Sequence, residues 1–316
     1  MMGTWLRRTI AAAALASLAM LAACGSGSIE SALQPARIVS FGDGMSDLGN
    51  RARYTVNDGT TNVWVQQFAA SYRLTLTSSS AGGLGYAWGN ARINSKPDAA
   101  GNAATPTLVE QVDAFLAANT VGQNDVYVLN AGLSDIVAET AAVQAGTRSE
   151  AQMLANLQQA GRDLGAQARR LVQAGAKYVV VVGPYNLGRS PWATSINKVA
   201  LLTDATNKLN EAMLVSVVDL GANVLYVDAA YYFNLVTAFW GSYGFNDATT
   251  VACTSVDPAN GIGIGTNQVN SALCTPSTIG AGLDYNKYEF ADRIYFTPEL
   301  NRLFGIYAFD RIRARW

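Results

Sequence analysis

The sequence predicts an α/β fold, a three-layer α/β/α sandwich built on a mostly parallel sheet. Four short runs rich in apolar and β-branched residues recur along the chain, at Arg37–Phe41, Asp125–Asn130, Lys177–Val182 and Asn223–Val227. Continuous apolar runs of this length suit strands buried on both faces. Segments of helical periodicity lie between them, and strand–helix alternation is the pattern of a parallel sheet covered by helices.

Taken in order, Arg37–Phe41 is the first strand, and it places the residues after Phe41 at the carboxyl edge of the sheet. Ligands of such folds bind in the crevice beyond that edge. A helix is predicted over Val109–Ala118, just after Pro106 and Thr107. Ser149–Gln173 sets Leu154, Leu157, Leu164, Leu171 and Val172 at helical spacing, with Ser149 as N-cap and Gly175 as the stop. Residues 198–220 repeat the pattern through Val199, Leu202, Leu209, Met213 and Val217, and a last helix is predicted from Pro298 to Ile312. Residues 244–287 are rich in Gly, Asn, Thr and Ser and read as a loop insertion within a single domain spanning 37–316. The Gly261–Gly265 run, GIGIG, neither follows a strand nor opens a helix, so a flexible loop fits it better than a phosphate cradle.

The composition excludes several classes. Charged residues make up 14% of the chain, the net charge is −1 and there is no basic run, so a nucleic-acid partner is not expected. No histidine is present. Arg7 and Arg8, the apolar stretch Thr9–Met20 and the small residues before Cys24 read as an export signal over residues 1–23. Leu21-Ala22-Ala23-Cys24 resembles a bacterial lipobox. The resemblance implies lipid attachment at Cys24, a tether over 24–36, and an exported outer-membrane lipoprotein on the periplasmic face or the cell surface. In an oxidising compartment the two other cysteines, Cys253 and Cys274, are expected to form a disulfide. No cofactor is expected, and no metal, since two thiolates without histidine make a poor zinc site.

The chemistry-bearing segments begin with FGDGMSDLGN at Phe41–Asn50. GGLGYAWGNARI follows at Gly82–Ile93, then Gly132-Leu133-Ser134-Asp135, and finally FADRIYFTPELNRLFGIYAF at Phe290–Phe309. In order and spacing these resemble the blocks of the SGNH/GDSL esterases and lipases, and Pro106–Ala117 resembles their scaffold. The resemblance covers nearly the whole chain after the leader and implies an SGNH/flavodoxin-like sandwich. It also implies a serine nucleophile at position 44, oxyanion donors at Gly89 and position 134, and an acid–base pair at Asp292 and position 295.

Three of these positions are changed: Gly44 stands for serine, Ser134 for asparagine and Tyr295 for histidine. Glycine carries no nucleophile, and a phenol with a pKa near 10 is a poor base at neutral pH. Loss of the serine or the histidine alone can cost a triad enzyme about 10⁶-fold in rate. The expectation is therefore a hydrolytically inactive relative that binds a lipid, acyl ester or glycan. The alternatives are a working carboxylic-ester hydrolase with a non-standard catalytic set and a scaffold that uses only its surface. Ser46 is the substitute nucleophile for the second reading, and Asp43 or Asp47 paired with Asp292 would be a carboxylate pair. Tyr86, Trp88, Tyr185, Trp192, Tyr231, Tyr232, Tyr295 and Phe296 fall near the expected cleft, as lining or as core.

Overall fold

The structure is a computed structural model that describes residues 33–60 and 63–316. The predicted signal segment, Cys24 and most of the tether lie outside the described residues. The elements run in chain order as β1 (Ile38–Gly42), α1 (Trp64–Ser71), α2 (Leu108–Ala118), β2 (Val126–Asn130), α3 (Leu133–Gln144) and α4 (Glu150–Gln173). They continue as β3 (Tyr178–Val182), α5 (Pro191–Ser195), α6 (Val199–Val217), β4 (Val224–Tyr226) and α7 (Ala229–Ala238). Short strands β5 (Asp247–Val251), β6 (Val256–Asp257), β7 (Gln268–Val269) and β8 (Tyr288–Phe290) precede the last helix, α8 (Pro298–Arg313).

Strands β1 to β4 form a parallel sheet in the order 1-2-3-4, in register through Phe41 opposite Leu129 and Leu129 opposite Val181. Every residue of β1 and β2 is buried, which is why their sequences show no alternation. Helix α2 touches α4, and α4 packs along α6, while α1 pairs with α8. This is the α/β fold with a helix-flanked parallel sheet that the sequence predicts. Helices α2 and α4 start where their caps are written locally, as capping boxes of Thr107 with Glu110 and Ser149 with Gln152.

Periodicity does not predict helices α1, α3, α5 and α7. For α3 the reason is physical: its N-cap is Gly132, which offers no side chain. The capping oxygen comes instead from Asp43, at the end of β1, which accepts the Leu133 amide at 3.1 Å. The 244–287 segment holds more regular structure than its composition suggests. Strand β5 pairs in parallel with β8, and β6 pairs antiparallel with β7. The expected disulfide joins Cys253 to Cys274. Among the described residues no helix is long and apolar enough to cross a membrane.

Candidate functional site

β1 ends where its backbone meets β2. A β-carbon on Gly42 would lie 2.9 Å from the Asn130 carbonyl carbon, so only glycine fits. Gln111 of α2 holds this residue from the side, accepting its amide at 2.8 Å and donating to its carbonyl at 2.9 Å. The chain then turns through Asp43, Gly44, Met45 and Ser46 at the carboxyl edge of the sheet.

Asp43 is buried, and its carboxylate accepts the amides of Met45 (3.1 Å), Leu133 (3.1 Å) and, at a long 3.5 Å, Ser134. Burial outweighs these bonds and raises its pKa to about 7. Gly44 faces Tyr295: a β-carbon there would stand 2.8 Å from Cζ of the phenol and closer still to its oxygen. Tyr295 is 1% exposed, so its ring fills the space a serine side chain would need. Burial pushes its phenol well above the ordinary pKa, which removes it further from service as a base.

A second ring completes the plug. Tyr54 lies against Tyr295 with centroids 4.6 Å apart. On its other side it covers Gly89, where a β-carbon would fall 2.5 Å from its ring carbons. The Gly89 amide, the expected oxyanion donor, points elsewhere: it donates to Asp47 at 2.8 Å. Asp47 also accepts the amides of Gly49, Asn50, Arg51 and Ala52, which makes it the organiser of the turn after Ser46. The Ser134 hydroxyl is buried with no hydrogen-bond partner among the described residues and supplies no amide donor.

Asp292 is fully buried, and its carboxylate accepts the amides of Ser271 (2.9 Å), Ile294 (2.9 Å) and Tyr295 (2.8 Å). Burial raises its pKa in spite of them. The residue at the family's acid position thus ties the 244–287 segment to the turn that carries Tyr295. Asn90 binds the Gly261 carbonyl at 2.8 Å, and Ile262 is buried, so the GIGIG run is a packed loop over this region.

The substitute groups are in poor positions. Ser46 is fully buried, donating to Asn130 at 2.9 Å and accepting from the Trp64 indole at 3.1 Å, with no base beside it. Its hydroxyl ties the turn after β1 to β2 and α1, an arrangement that does not favour it as a nucleophile. Asp43, Asp47 and Asp292 are all buried and held by backbone amides, which argues equally against a sugar-cleaving carboxylate pair. Tyr185, Trp192, Tyr232, Tyr295 and Phe296 are buried, Tyr86 and Trp88 are half-buried and Tyr231 is exposed; Tyr185 donates to the Ile294 carbonyl at 2.8 Å. Between Asp43, Asn130, Tyr185 and Phe233 there remains a cavity of ≈ 10 Å³, room for one water at most. Sequence reasoning passed over Tyr54, Trp64, Gln111 and Asn130, which lie outside the four blocks and carry no spacing signal.

The GDSL-like Lipase/Acylhydrolase family model matches residues 38–307. The chain belongs to that family. It is similar to Lipase 1 of Photorhabdus luminescens, with 30% identity over 160 residues, which is 48% of this chain and 22% of that protein. The chain therefore matches less than a quarter of that relative's length. A solved crystal structure aligns over 89% of this chain and 98% of its own at 14% identity, with a TM-score of 0.49. Within the GDSL-like family, the altered positions Gly44, Ser134 and Tyr295 all fall inside the matched segment.

Proposed function

We propose that this GDSL-like chain is an exported lipoprotein that has given up ester hydrolysis and acts by binding a lipid, acyl or glycan group at the outer membrane. One observation carries the loss of hydrolysis. The ring at position 295 occupies the volume of the missing serine side chain at position 44, so the two changes support each other sterically. A cleft filled by Tyr295 and Tyr54 has no room for an acyl group, which directs binding to the outer surface of the domain. The lipobox residues Leu21–Cys24 support the anchored location.

The test is to treat the purified chain with a fluorophosphonate probe and with short- and long-chain acyl esters. Neither labelling nor turnover is expected. Labelling at Ser46 or any other serine, with matching turnover, would instead establish an ester hydrolase with a non-standard catalytic set. For the anchor, Cys24→Ser is expected to abolish incorporation of labelled fatty acid. Continued incorporation would rule Cys24 out as the attachment point.

A further inference from the structure

Residues 229–246 contain no charged side chain and seven aromatic ones. Helix α7 begins this stretch and is apolar on both sides. Its inner face sets Tyr232 on Tyr307 (4.3 Å between centroids), and Phe233 on Phe296 (4.3 Å) and Phe304 (4.8 Å). Its outer face carries Tyr231 and Phe239, each 59% exposed, with half-buried Leu235 between them; Trp240, 42% exposed, follows in the next turn. Positions 231, 235 and 239 recur every four residues and so form one stripe. A helix that is hydrophobic all round is normally covered on all sides. Among the described residues nothing covers the outer stripe.

We infer that this stripe, Tyr231, Leu235, Phe239 and Trp240, rests in the headgroup region of a lipid bilayer. The inference rests on the anchored reading above and adds how the domain sits on the membrane. The position of the tether favours a bilayer. Leu33 and Gln34 line a surface cavity with Phe309 and Arg313, so the chain enters the domain beside the last turns of α8. Tyr307, the partner of Tyr232, is six residues before Arg313, about 9 Å along the same helix. The nine residues 24–32 span at most about 30 Å. A lipid on Cys24 therefore holds the domain within about 30 Å of the membrane surface, a reach that includes α7, whose Tyr232 meets α8 at Tyr307.

The chemistry agrees. Tyr and Trp gather at membrane interfaces, where the ring body meets acyl chains and the polar edge meets headgroups. With no charge on the stripe, contact requires no desolvation of an ion. A second copy of the chain fits less well. Three half-exposed aromatic side chains offer on the order of 300 Å², whereas a stable interface buries about 800 Å² on each partner.

The test uses the full chain reconstituted in phosphatidylcholine vesicles with brominated acyl chains, which quench nearby indoles. Trp64 and Trp192 are buried and report little, and half-buried Trp88 and Trp316 are common to wild type and variant, so the difference between them reads Trp240. The wild type is expected to be quenched at least twofold more than Trp240→Phe, and Tyr231→Ser with Phe239→Ser to remove the difference. Because these side chains are exposed, the variants should melt like the wild type. Equal quenching with and without Trp240 would overturn the inference. So would a concentration-dependent dimer in solution that disperses in the Phe239→Ser variant, since a second copy would then be the occupant. Fatty-acid labelling of the same preparations keeps the two questions apart. An unlabelled chain whose Trp240 is still quenched by added vesicles would remove the anchor and keep the stripe.

Discussion

A β-carbon added to Gly44 would come within 3.0 Å of Cε1 of Tyr295, so residue 44 can carry a side chain only if residue 295 gives up its ring position. Neither change reverts freely alone. Gly44→Ser in the presence of Tyr295 is expected to destabilise the domain by about 1–3 kcal/mol, the usual cost of overpacking a filled core. The same substitution made in Tyr295→His should cost much less. A double-mutant cycle from urea denaturation should give a coupling above about 1 kcal/mol. Additive effects would mean that Tyr295 moves aside without resistance.

Restoring the three lost groups together should still fail. In Gly44→Ser, Ser134→Asn, Tyr295→His the nucleophile, amide and imidazole return, but Tyr54 still covers Gly89, and the Gly89 amide still donates to Asp47. Without the Gly89 donor about 10²–10³-fold is lost from whatever rate the triad recovers. Fluorophosphonate labelling of this triple variant is expected to be absent or very slow, and to rise when Tyr54→Ala is added. Rapid labelling of the triple variant itself would show that Tyr54 is no barrier.

What the sequence disclosed was local. The strands were legible because both faces are buried, and α2 and α4 because their capping boxes lie within four residues. What it concealed depends on partners far away in the chain. Helix α3 is capped by a carboxylate 90 residues earlier, and β5 finds its mate only at Tyr288–Phe290. The site followed the same division. The motif blocks revealed which groups were missing, and only the fold showed Tyr54 covering Gly89 and packed against Tyr295.

Ser134 provides a test in which removing a polar group does no harm. Its hydroxyl is buried without a partner at the second residue of α3. Ser→Ala there removes no hydrogen bond, relieves a desolvated oxygen and improves helix propensity. The variant is expected to be as stable as the wild type or up to about 1 kcal/mol more stable. A loss of that size in the urea midpoint would reveal a hydrogen bond to the hydroxyl.

The buried carboxyls set a pH dependence with a definite sign. Burial raises Asp43 and Glu289 to about 7 and Asp135 to about 6. Such groups keep protons in the folded chain that they release on unfolding, since their ordinary values are near 4. The folded state therefore binds more protons across this window, and stability falls as pH rises from about 4 to 7. Thermal melts at pH 5 should exceed those at pH 8. Asp43→Asn should flatten the slope while lowering the melt overall, because its amide group would face backbone N–H donors. A melting temperature that climbs from pH 5 to 8 would mean that these carboxylates ionise easily where they stand.

The disulfide offers a way to separate the 244–287 segment from the sheet. Cys253 and Cys274 are 21 residues apart, and a loop of that length contributes about 3 kcal/mol when closed. The bridge also fixes what lies next to it: Ser271, whose amide binds Asp292, and the Cys274 carbonyl, which accepts the Asn57 amide at 2.9 Å. In Cys253→Ser with Cys274→Ser the amides of Ser271, Ile294 and Tyr295 should exchange with solvent faster, because the carboxylate that holds them loses its support. The amides of Val126–Asn130 sit in the middle of the parallel sheet, and their exchange should report only the global loss of stability. If both sets accelerate equally, the segment and the sheet unfold as one unit. If only the first set does, the tyrosine plug is held by its own staple, and loosening that staple should raise the exposure of Tyr295 to surface-labelling reagents while the sheet stays folded.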